Sequence, residues 1–470
     1  MNQAWASFSA KQRCRAVSKT RHVIADRLDR LIDLSRTDQR CDAVETITAE
    51  LFPFCEALKF IGKRGPKLLA PRHLGTSGRP VWLWGVRSTI RRDPHGKVLI
   101  LGPWNYPLFL VGTQIAQALA AGNQVLVKPA EGCEKITAEM VDCFYTAGVP
   151  RLTIRLLDTS AQAAIDTIAA GVDLVVLTGS AATGRKVLAQ TAQTITPTIM
   201  ELSGCDASIV LPGADLERVA AAVDFGLNLN HGATCIGPRR WLIEDSSDTH
   251  SVVETLLRSL DQRLSNRQSI VHPSARETVA RCIESAIRQG AVDRLKHFDA
   301  NRLRRTGEMK PVILDHVDAG FEIAAEDLFA PVISVVRLRR IDDAVGIVNG
   351  CRYRLAASIF GPPGEAKQMA DRLEVGCVTI NDLITATADP RIPFGGRGES
   401  GFGVTRGGEG LLSMTTAVTI SQRRGRFAPH LAPRTASDQA RLGGALRLMH
   451  GSTLKQRLAA IKEIISSMTT

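Results

Sequence analysis

Short apolar runs alternate with helical stretches between residues 97 and 202, and this alternation restricts the possible folds more than any other feature of the chain. Strands that are separated by helices pair in parallel, because each helix returns the chain to the same edge of the sheet. The pattern therefore predicts an open, doubly wound α/β domain of the dinucleotide-binding type. The predicted strands are 98–101, 124–127, 153–157, 173–177 and 198–202.

A second alternation of apolar runs and helices begins near Ser203 and ends near Asn381. It predicts a second α/β unit, in which Pro273 is a candidate first residue of a helix. A chain of 470 residues is too long for one ordinary core, so two or three domains are expected. The predicted strands of this unit are 207–211, 241–243, 312–314, 332–336, 355–360 and 378–381.

Outside these two units the pattern is mixed. Residues 1–50 have helical spacing, and residues 62–80, rich in Gly, Pro, Lys and Arg, predict a loop. Residues 81–91 and 412–421 predict strands. The Gly-rich segment 391–408 has no predicted element.

The C-terminal tail, residues 422–470, is basic and ends in an amphipathic pattern. Residues 421–470 contain nine Lys or Arg against Asp438 and Glu463, a net charge of +7 out of +12 for the chain, which leaves about +5 for the body. Leu454, Leu458, Ile461 and Ile465 share one face of a predicted helix with Ser452 as its N-cap. This helix either docks on the body or contacts a membrane surface or a partner.

The composition excludes several other classes of protein. Aromatic residues are not interleaved with the charges of the tail, so nucleic acid is not an expected partner. Ten scattered cysteines without a CxxC pair predict neither a metal site nor a disulfide framework. No run of about 18 apolar residues and no signal-peptide pattern is found, which favours a cytoplasmic setting with free thiols.

One cysteine lies in a sequence that suits an accessible thiol. Cys235 stands between Gly232-Ala233 and Gly237-Pro238, on the connection between a predicted helix and a predicted strand. Catalytic residues are common on such connections. A single cysteine is also often a small buried apolar residue, and the loop alone does not separate the two interpretations.

Six further motifs accompany Cys235 along the chain. Together the seven resemble the aldehyde dehydrogenase superfamily in order and spacing, from about residue 20 to 421, and among its members most resemble the class 3 branch. The motifs are Trp104-Asn105-Tyr106-Pro107, Lys128-Pro129-Ala130-Glu131, Gly179-Ser180 with Gly184, Glu201-Leu202-Ser203-Gly204, Cys235, Asp327-Leu328-Phe329-Ala330-Pro331 and Pro393-Phe394-Gly395-Gly396.

The resemblance implies a catalytic role for three residues. Cys235 would attack the aldehyde carbon, Asn105 would help to hold the oxyanion, and Glu201 would activate the water that releases the acid. Glu201 stands between apolar neighbours, so its pKa should be raised, which suits a general base. Without the family, Asn105 could equally be a structural turn residue and Glu201 a solvated carboxylate.

The resemblance also implies a site for NAD, with NADP possible. Gly179, Ser180 and Gly184 would receive the pyrophosphate at a helix N-terminus, although a plain tight turn has the same pattern. Lys128 and Glu131 would bind the adenosine ribose, and Glu131 would repel a 2′-phosphate. Asp327 would hold the nicotinamide ribose, with Phe329 and Trp104 beside the site.

The resemblance further implies an aldehyde dehydrogenase-like α/β fold with two doubly wound parallel-sheet domains and a small bridging β element. We expect a dinucleotide-binding domain (1–79 and 98–201), a catalytic domain (202–390), the bridging and oligomerisation element (80–97 and 391–421) and the tail (422–470). A homodimer is the implied assembly. The candidate substrate-pocket residues are Tyr106, Phe109, Thr234 and Ile236.

The sequence departs from the family pattern at several motif positions. Asp327 replaces the usual Glu, Ser203 and Cys205 stand where Gly and Lys are usual, Ala233 replaces a Gln, and Ala330 replaces a Gly. Two alternatives to aldehyde oxidation therefore stay open. One is a CoA-acylating enzyme or activated-acid reductase of the same fold. The other is a catalytically weak basic binding or scaffold protein.

Overall fold

The chain forms two compact units in a computed structural model that describes residues 3–38, 40, 42–246, 249–264 and 267–467. One unit contains the described residues up to Ala70 together with Arg91–Val418, and the other contains Pro71–Ile90 and the described residues from Thr419 onward. The domain boundaries expected from the sequence stay a prediction. The fold itself is the predicted one, with two doubly wound, largely parallel sheets in the first unit.

The first sheet contains all five predicted strands in parallel and one strand that was not predicted. Gly401–Phe402, from the Gly-rich segment, pairs antiparallel with the edge strand and brings Gly401 opposite Glu201. The spatial order is Gly401–Phe402, Thr198–Glu201, Leu174–Thr178, Lys97–Leu101, Gln124–Lys128 and Ile154–Leu156. The strand order reverses at Lys97–Leu101, and ligands bind outside the carboxyl ends of the strands at such a switch point.

Helices cover both faces of this sheet, which explains why its strands are continuous apolar runs. Alternate residues of each strand enter two different cores: Val98 and Ile100 enter one, and Leu99 and Leu101 enter the other. The helices after the first four parallel strands are Phe109–Ala121, Glu134–Thr146, Ala161–Ala169 and Ala181–Thr194.

The second sheet has seven strands, of which only the first is antiparallel to its neighbour. Their order is Val292–Asp293, Val312–Asp315, Val332–Leu338, Pro238–Glu244, Asp206–Val210, Ala356–Phe360 and Cys377–Ile380. Pro273 is the first residue of a helix, as predicted. The associated helices are Leu216–Asn228, His250–Leu264, Pro273–Arg288, Ala300–Thr306, Asp343–Asn349 and Pro363–Ala370.

The N-terminal region is helical, and its last helix is longer than predicted. The described helices are Gln3–Ser7, Ala10–Asp26, Leu28–Ser35, Ala43–Glu45, the π-helical turn Thr46–Leu51 and Phe52–Leu68. The prediction of a loop from residue 62 is wrong for residues 62–68, which belong to this helix. Gly62 and Gly65 face the helix Ala10–Asp26, and a Cβ at Gly65 would lie 2.7 Å from Cys14 Sγ. The absence of a side chain at these two glycines allows the two helices to pack closely.

The second unit combines strand residues with a helical hairpin. The strands Arg72–His73, Val86–Pro94 and Thr415–Arg423 form one sheet. Both longer strands start later than predicted, because Val81–Leu83 is a 3₁₀ turn and Gly407–Ser413 is a helix. Two helices, Asp438–His450 and Leu454–Ser466, end the described chain, and the N-cap of the second is Thr453, whereas Ser452 was predicted. No described helix is long and apolar enough to cross a membrane.

Candidate active site

A cavity of about 830 Å³ opens at the carboxyl ends of the first sheet, where the strand order reverses. Asn105, Glu201 and Cys235 all line it, although they are far apart in sequence. Asn105 follows the strand Lys97–Leu101, Glu201 ends the strand Thr198–Glu201, and Cys235 belongs to the loop before Pro238–Glu244. The fold therefore brings together the three residues that the sequence identified as catalytic candidates.

The loop that carries Cys235 follows the end of the helix Leu216–Asn228 in a tight turn. Asn230 and His231 have φ values of 47° and 53°, and Gly232 has φ of 76°. A side chain at Gly232 would collide with the backbone of Ala330, so only glycine fits there. Gly204 is needed for a similar reason, because a Cβ at that position would collide with the carbonyl oxygen of Cys235.

Hydrogen bonds fasten Asn105 to this loop. Asn105 Nδ2 donates to Ala233 O at 3.0 Å, and its Oδ1 accepts from the backbone N–H of Tyr106 at 3.1 Å. Asn230 Nδ2 donates to Asn105 O at 3.0 Å. One of the two amide hydrogens of Asn105 is therefore committed to the loop, and the side chain has a fixed position at the cavity wall.

A buried arginine that the sequence analysis missed clamps the same loop. Arg239 donates to Gly232 O at 2.9 Å and to Thr234 O at 3.0 Å, on either side of Ala233. Its guanidinium also lies 3.5 Å from Asp327 Oδ1 and over the Phe329 ring. Its position immediately after Gly237-Pro238 was the available signal, since a charged residue that opens a buried strand must have partners.

The Cys235 thiol is held in its protonated form by its surroundings. It packs against an apolar cluster of Ile236, Leu355 and Phe394. Burial raises the pKa of Cys235 most, the charge of Glu201 raises it further, and Arg406 lowers it. Deprotonation of this thiol therefore needs a base.

Glu201 is buried at the end of its strand and has one unsatisfied oxygen. Thr405 Oγ1 donates to Glu201 Oε2 at 3.2 Å, while Glu201 Oε1 has no hydrogen-bond partner among the described residues. Burial raises the pKa of Glu201, against the opposing charge of Arg406 and the Thr405 hydrogen bond. The carboxyl group is therefore poised to exchange a proton with a molecule in the cavity.

Arg406 is the second residue that the sequence analysis missed. Its backbone has φ of 59°, its Nη1 donates to Thr387 O at 2.8 Å, and its guanidinium lies 3.9 Å from the centre of the Phe394 ring. The Gly-rich segment that contains it had no predicted element, so nothing in the pattern pointed to a buried cation acting on both Glu201 and Cys235.

The other half of the cavity has the features of a dinucleotide site. Gly179 and Ser180 line it before the helix Ala181–Thr194, and Ser180 is the N-cap, accepting from Thr183 N at 3.1 Å. Lys128 also lines the cavity, and burial lowers its pKa. A cavity of this volume at a helix N-terminus suits a nucleotide with its pyrophosphate.

Asp327, Phe329 and Trp104 line the same cavity. Asp327 Oδ2 accepts from Gly204 N at 3.3 Å, while Oδ1 is a buried oxygen without a hydrogen bond among the described residues. Burial raises the pKa of Asp327 to about 7, although Arg239 opposes this. The Trp104 ring stacks on His272 at 4.3 Å and meets the Phe329 ring edge-on at 5.9 Å.

Two of the predicted cofactor residues and all four pocket candidates do not line this cavity. A Cβ at Gly184 would lie 2.7 Å from Leu202, so this glycine permits close helix–sheet packing. Glu131 is exposed in the turn after Lys128. Tyr106 and Thr234 are buried and share a hydrogen bond of 2.6 Å, and Phe109 lies below Arg406. Ile236 is buried in the apolar cluster around Cys235.

Known proteins resemble the chain over most of its length. A family model described as the aldehyde dehydrogenase family matches residues 1–420. A 4,4′-diapolycopene aldehyde oxidase from a Methylomonas species is 31% identical over 456 residues, 95% of this chain and 84% of that protein. A succinate-semialdehyde dehydrogenase (NADP(+)) from Deinococcus radiodurans is 28% identical, covering 88% of this chain and 87% of that protein.

Solved structures share the fold. The crystal structure of a Mycobacterium tuberculosis aldehyde dehydrogenase complexed with NAD+ matches with a TM-score of 0.79 and 23% identity, over 89% of this chain and 86% of that one. An NAD-dependent aldehyde dehydrogenase from Sinorhizobium meliloti matches with a TM-score of 0.81 and 22% identity, over 92% and 85%.

The chain belongs to the aldehyde dehydrogenase family. Its activity is the oxidation of an aldehyde with NAD or NADP. Membership of the class 3 branch and the preference for NAD over NADP stay predictions.

Proposed function

We propose that Cys235 is the nucleophile with which this enzyme converts its aldehyde to a carboxylic acid, assisted by Asn105 and Glu201. One observation carries the proposal: the three side chains line a single cavity at the carboxyl ends of a dinucleotide-type sheet. Oxidation through a thiol needs a sulfur nucleophile, an oxyanion donor and a base. The cavity contains one group of each kind.

In the first step the Cys235 sulfur attacks the carbonyl carbon and forms a thiohemiacetal. Asn105 Nδ2 has one hydrogen committed to Ala233 O, so its second hydrogen is available to the developing oxyanion, together with the backbone N–H of Cys235. The thiol proton must leave first, and Glu201 is a carboxylate in the same cavity. Loss of a hydride from the same carbon would leave a thioester on Cys235, and NAD or NADP, when bound, would supply the acceptor.

Glu201 must first pass the thiol proton on to solvent, and as a carboxylate it then removes a proton from the water that hydrolyses the Cys235 thioester. Its Oε2 is held by Thr405 and its Oε1 has no other partner among the described residues, so one oxygen can accept the proton while the other fixes the carboxylate. A raised pKa brings such a base closer to the operating pH.

The residues that would hold the cofactor line the rest of the cavity. Asp327, whose buried Oδ1 accepts no hydrogen bond from the described residues, and Lys128 fit its ribose and pyrophosphate groups, and Trp104 and Phe329 would form an aromatic wall. Gly184 and Glu131 are left out of this set because they do not line the cavity. The proposed contacts are Trp104, Lys128, Gly179, Ser180, Asp327 and Phe329.

We propose an apolar aldehyde as the substrate class. The cavity wall includes the apolar side chains Leu110, Leu202 and Leu328, so a hydrocarbon chain bound against them would be desolvated without leaving a polar group unpaired. The relative named for 4,4′-diapolycopene aldehyde supports this choice over the relatives named for succinate semialdehyde.

Cys235→Ala should abolish NADH or NADPH formation with every aldehyde of a panel that runs from short to long alkyl chains and includes succinate semialdehyde. The matched control is Cys55→Ala, which removes a half-buried thiol outside the cavity. In the wild type, kcat/KM should rise with alkyl length. Glu201→Gln should retain a first turnover and accumulate an acylated Cys235, seen by mass spectrometry. Activity that survives Cys235→Ala would contradict the proposal.

A CoA-acylating enzyme is the alternative within the same fold. Such an enzyme releases its acyl group to a thiol and does not need a water-activating carboxylate, so Glu201 in the cavity argues against it. Cofactor reduction that requires CoA and persists in Glu201→Gln would favour this alternative.

We further propose a homodimer and a cytoplasmic location. The strand Thr415–Arg423 is at an edge of its sheet and can pair with a second copy, which supports the dimer. All nine described cysteines are free, which suits a reducing compartment.

A further inference from the structure

We propose that the helical hairpin of residues 438–466 docks on an anionic lipid bilayer surface. Its two helices, Asp438–His450 and Leu454–Ser466, pack where Gly444 meets Ala460 and Ile464. The inference does not depend on the proposed catalytic roles, because it concerns a surface of the second unit.

The helix Leu454–Ser466 presents an apolar stripe that no described residue covers. Leu454, Leu458, Ile461 and Ile465 recur at helical spacing, and their exposed fractions are 79%, 61%, 39% and 59%. Ala460 and Ile464, on another side of the helix, make the contact with Gly444. The stripe is therefore additional to the face that stabilises the hairpin.

Cations flank this stripe, as they do on helices that lie in a membrane interface. At 100° per residue, Lys455 and Lys462 lie on one side of the stripe and Arg457 lies on the other. Lys455 and Lys462 have no ion pair among the described residues, while Arg457 is held by Gly451 O at 2.8 Å. Long basic side chains in these positions can reach lipid phosphates while the stripe enters the acyl region.

The helix Asp438–His450 has a stripe of its own. Leu442, Leu446 and Met449 recur at the same spacing and are 71%, 60% and 40% exposed. Arg447 pairs with Glu463, and Arg441 donates to Ser467 O at 3.1 Å, so these two arginines fasten the helices together. The hairpin thus keeps its shape without burying either stripe.

Elsewhere in the same unit, exposed aromatic side chains lie beside arginines. Trp84 and Phe427 are 68% and 52% exposed, and Arg423 donates to the carbonyl oxygens of both residues. Arg79 lies over the Trp84 ring. Tryptophan beside arginine is typical of the headgroup region of a bilayer.

The charge of this unit selects an anionic partner. Residues 71–90 and 419–470 contain twelve Lys or Arg and two acids, a net charge of +10, whereas the whole chain has +12. A second copy docked through the same surface would oppose like charges. Nucleic acid would satisfy the charge but not the apolar stripes, so a bilayer with acidic lipids fits both properties.

Sedimentation of full-length protein with vesicles tests the proposal. We expect binding to an equal mixture of phosphatidylcholine and phosphatidylserine, weakening with salt, and no binding to phosphatidylcholine alone. Lys455→Gln combined with Lys462→Gln should weaken binding about 25-fold, roughly fivefold for each lysine.

A matched pair of variants separates insertion from charge. Leu458→Glu and Ala459→Glu add the same charge at neighbouring exposed positions, but only Leu458 belongs to the stripe. Leu458→Glu should weaken vesicle binding about tenfold more than Ala459→Glu, because only it removes a leucine from the bilayer. Equal unfolding temperatures of the two variants exclude misfolding as the cause.

Four results would overturn the proposal. The first is an equal loss of vesicle binding in Leu458→Glu and Ala459→Glu. The second is binding to phosphatidylcholine vesicles as strong as binding to the mixture, and the third is no binding to either kind of vesicle. The fourth is binding to duplex DNA that Leu458→Glu weakens as it weakens vesicle binding. A dimer that dissociates in Leu458→Glu, without vesicle binding by the wild type, would assign the stripe to a second copy of this chain.

Discussion

Cys235, Glu201 and Arg406 oppose one another electrostatically around the sulfur of the proposed nucleophile. Burial disfavours the charged forms of Cys235 and Glu201. A negative charge on either residue would also disfavour a negative charge on the other. Arg406 opposes both effects with a positive charge that is itself buried between aromatic rings. We therefore regard Arg406 as a positioning and charge-balancing residue, not as a group that contacts the substrate.

Arg406→Gln should move the rising limb of the pH–activity profile to higher pH. The limb reports deprotonation of a base whose pKa Arg406 lowers, so removal of the charge raises that pKa. The shift should be about one pH unit or more, as is usual when a neighbouring opposite charge is removed. Arg406→Lys keeps the charge and should return the midpoint towards that of the wild type. Reduced activity with an unchanged midpoint in Arg406→Gln would mean that the residue is only structural.

At the scale of elements, the N-terminal helices support the loop of the proposed nucleophile. Glu45, which precedes the π-helical turn Thr46–Leu51, accepts a hydrogen bond from the backbone N–H of Asn230. Glu50, within that turn, accepts from Leu108 N at 2.7 Å, next to the helix Phe109–Ala121. Two acids from one short segment thus hold the loop before Cys235 and the start of the helix Phe109–Ala121, and burial raises the pKa of each, that of Glu45 to about 7.

Glu45→Gln should stabilise the protein at pH 8 and leave its stability nearly unchanged at pH 5. The pKa of Glu45 rises from 4.5 to about 7 on folding, so its contribution is favourable at low pH and is lost as pH rises through 7. Glutamine keeps the acceptor for Asn230 without that loss, a gain of up to about 3 kcal/mol at pH 8. Denaturant unfolding of the wild type and the variant at both pH values measures this difference in the free energy of unfolding. A variant less stable than the wild type at pH 8 would refute the expectation.

The sequence was sufficient for elements whose pattern has one physical cause. Buried parallel strands are apolar throughout, so the five parallel strands of the first sheet were predicted, and Asn105, Glu201 and Cys235 follow or end predicted elements. Glycine patterns have several causes and misled us. Gly62 and Gly65 predicted a loop but permit helix packing, and Gly184 permits packing where a phosphate contact was predicted. Arg239 left only the signal of a charged residue near the start of a buried strand, and Arg406 left none, because their partners are carbonyl groups brought close by the fold.

At the scale of the whole molecule, the cavity draws its wall from both sheets. Thr178 and Gly179 follow a strand of the first sheet, whereas Cys235 and Asp327 belong to the region of the second. A ligand that fills the cavity therefore contacts both regions at once. Binding of such a ligand should therefore raise the free energy of unfolding of the whole first unit.

NAD or NADP should raise the unfolding temperature of the protein without any aldehyde present. At about 100 times its Kd, a ligand that binds only the folded state adds about 2.7 kcal/mol. Differential scanning calorimetry with increasing cofactor measures the shift. Cys235→Ala should retain it, since the thiol is not a proposed cofactor contact, and Asp327→Ala should reduce it. No shift at saturating concentrations of either cofactor would contradict the assignment of the cavity.

The concentration of positive charge in residues 71–90 and 419–470 makes the molecule an electric dipole. A negatively charged plane exerts a torque on such a dipole before any atoms touch, so copies that approach it are turned towards one orientation. At physiological ionic strength this influence extends about 8 Å. Added salt should therefore slow the arrival of the protein at such a plane more than it speeds departure.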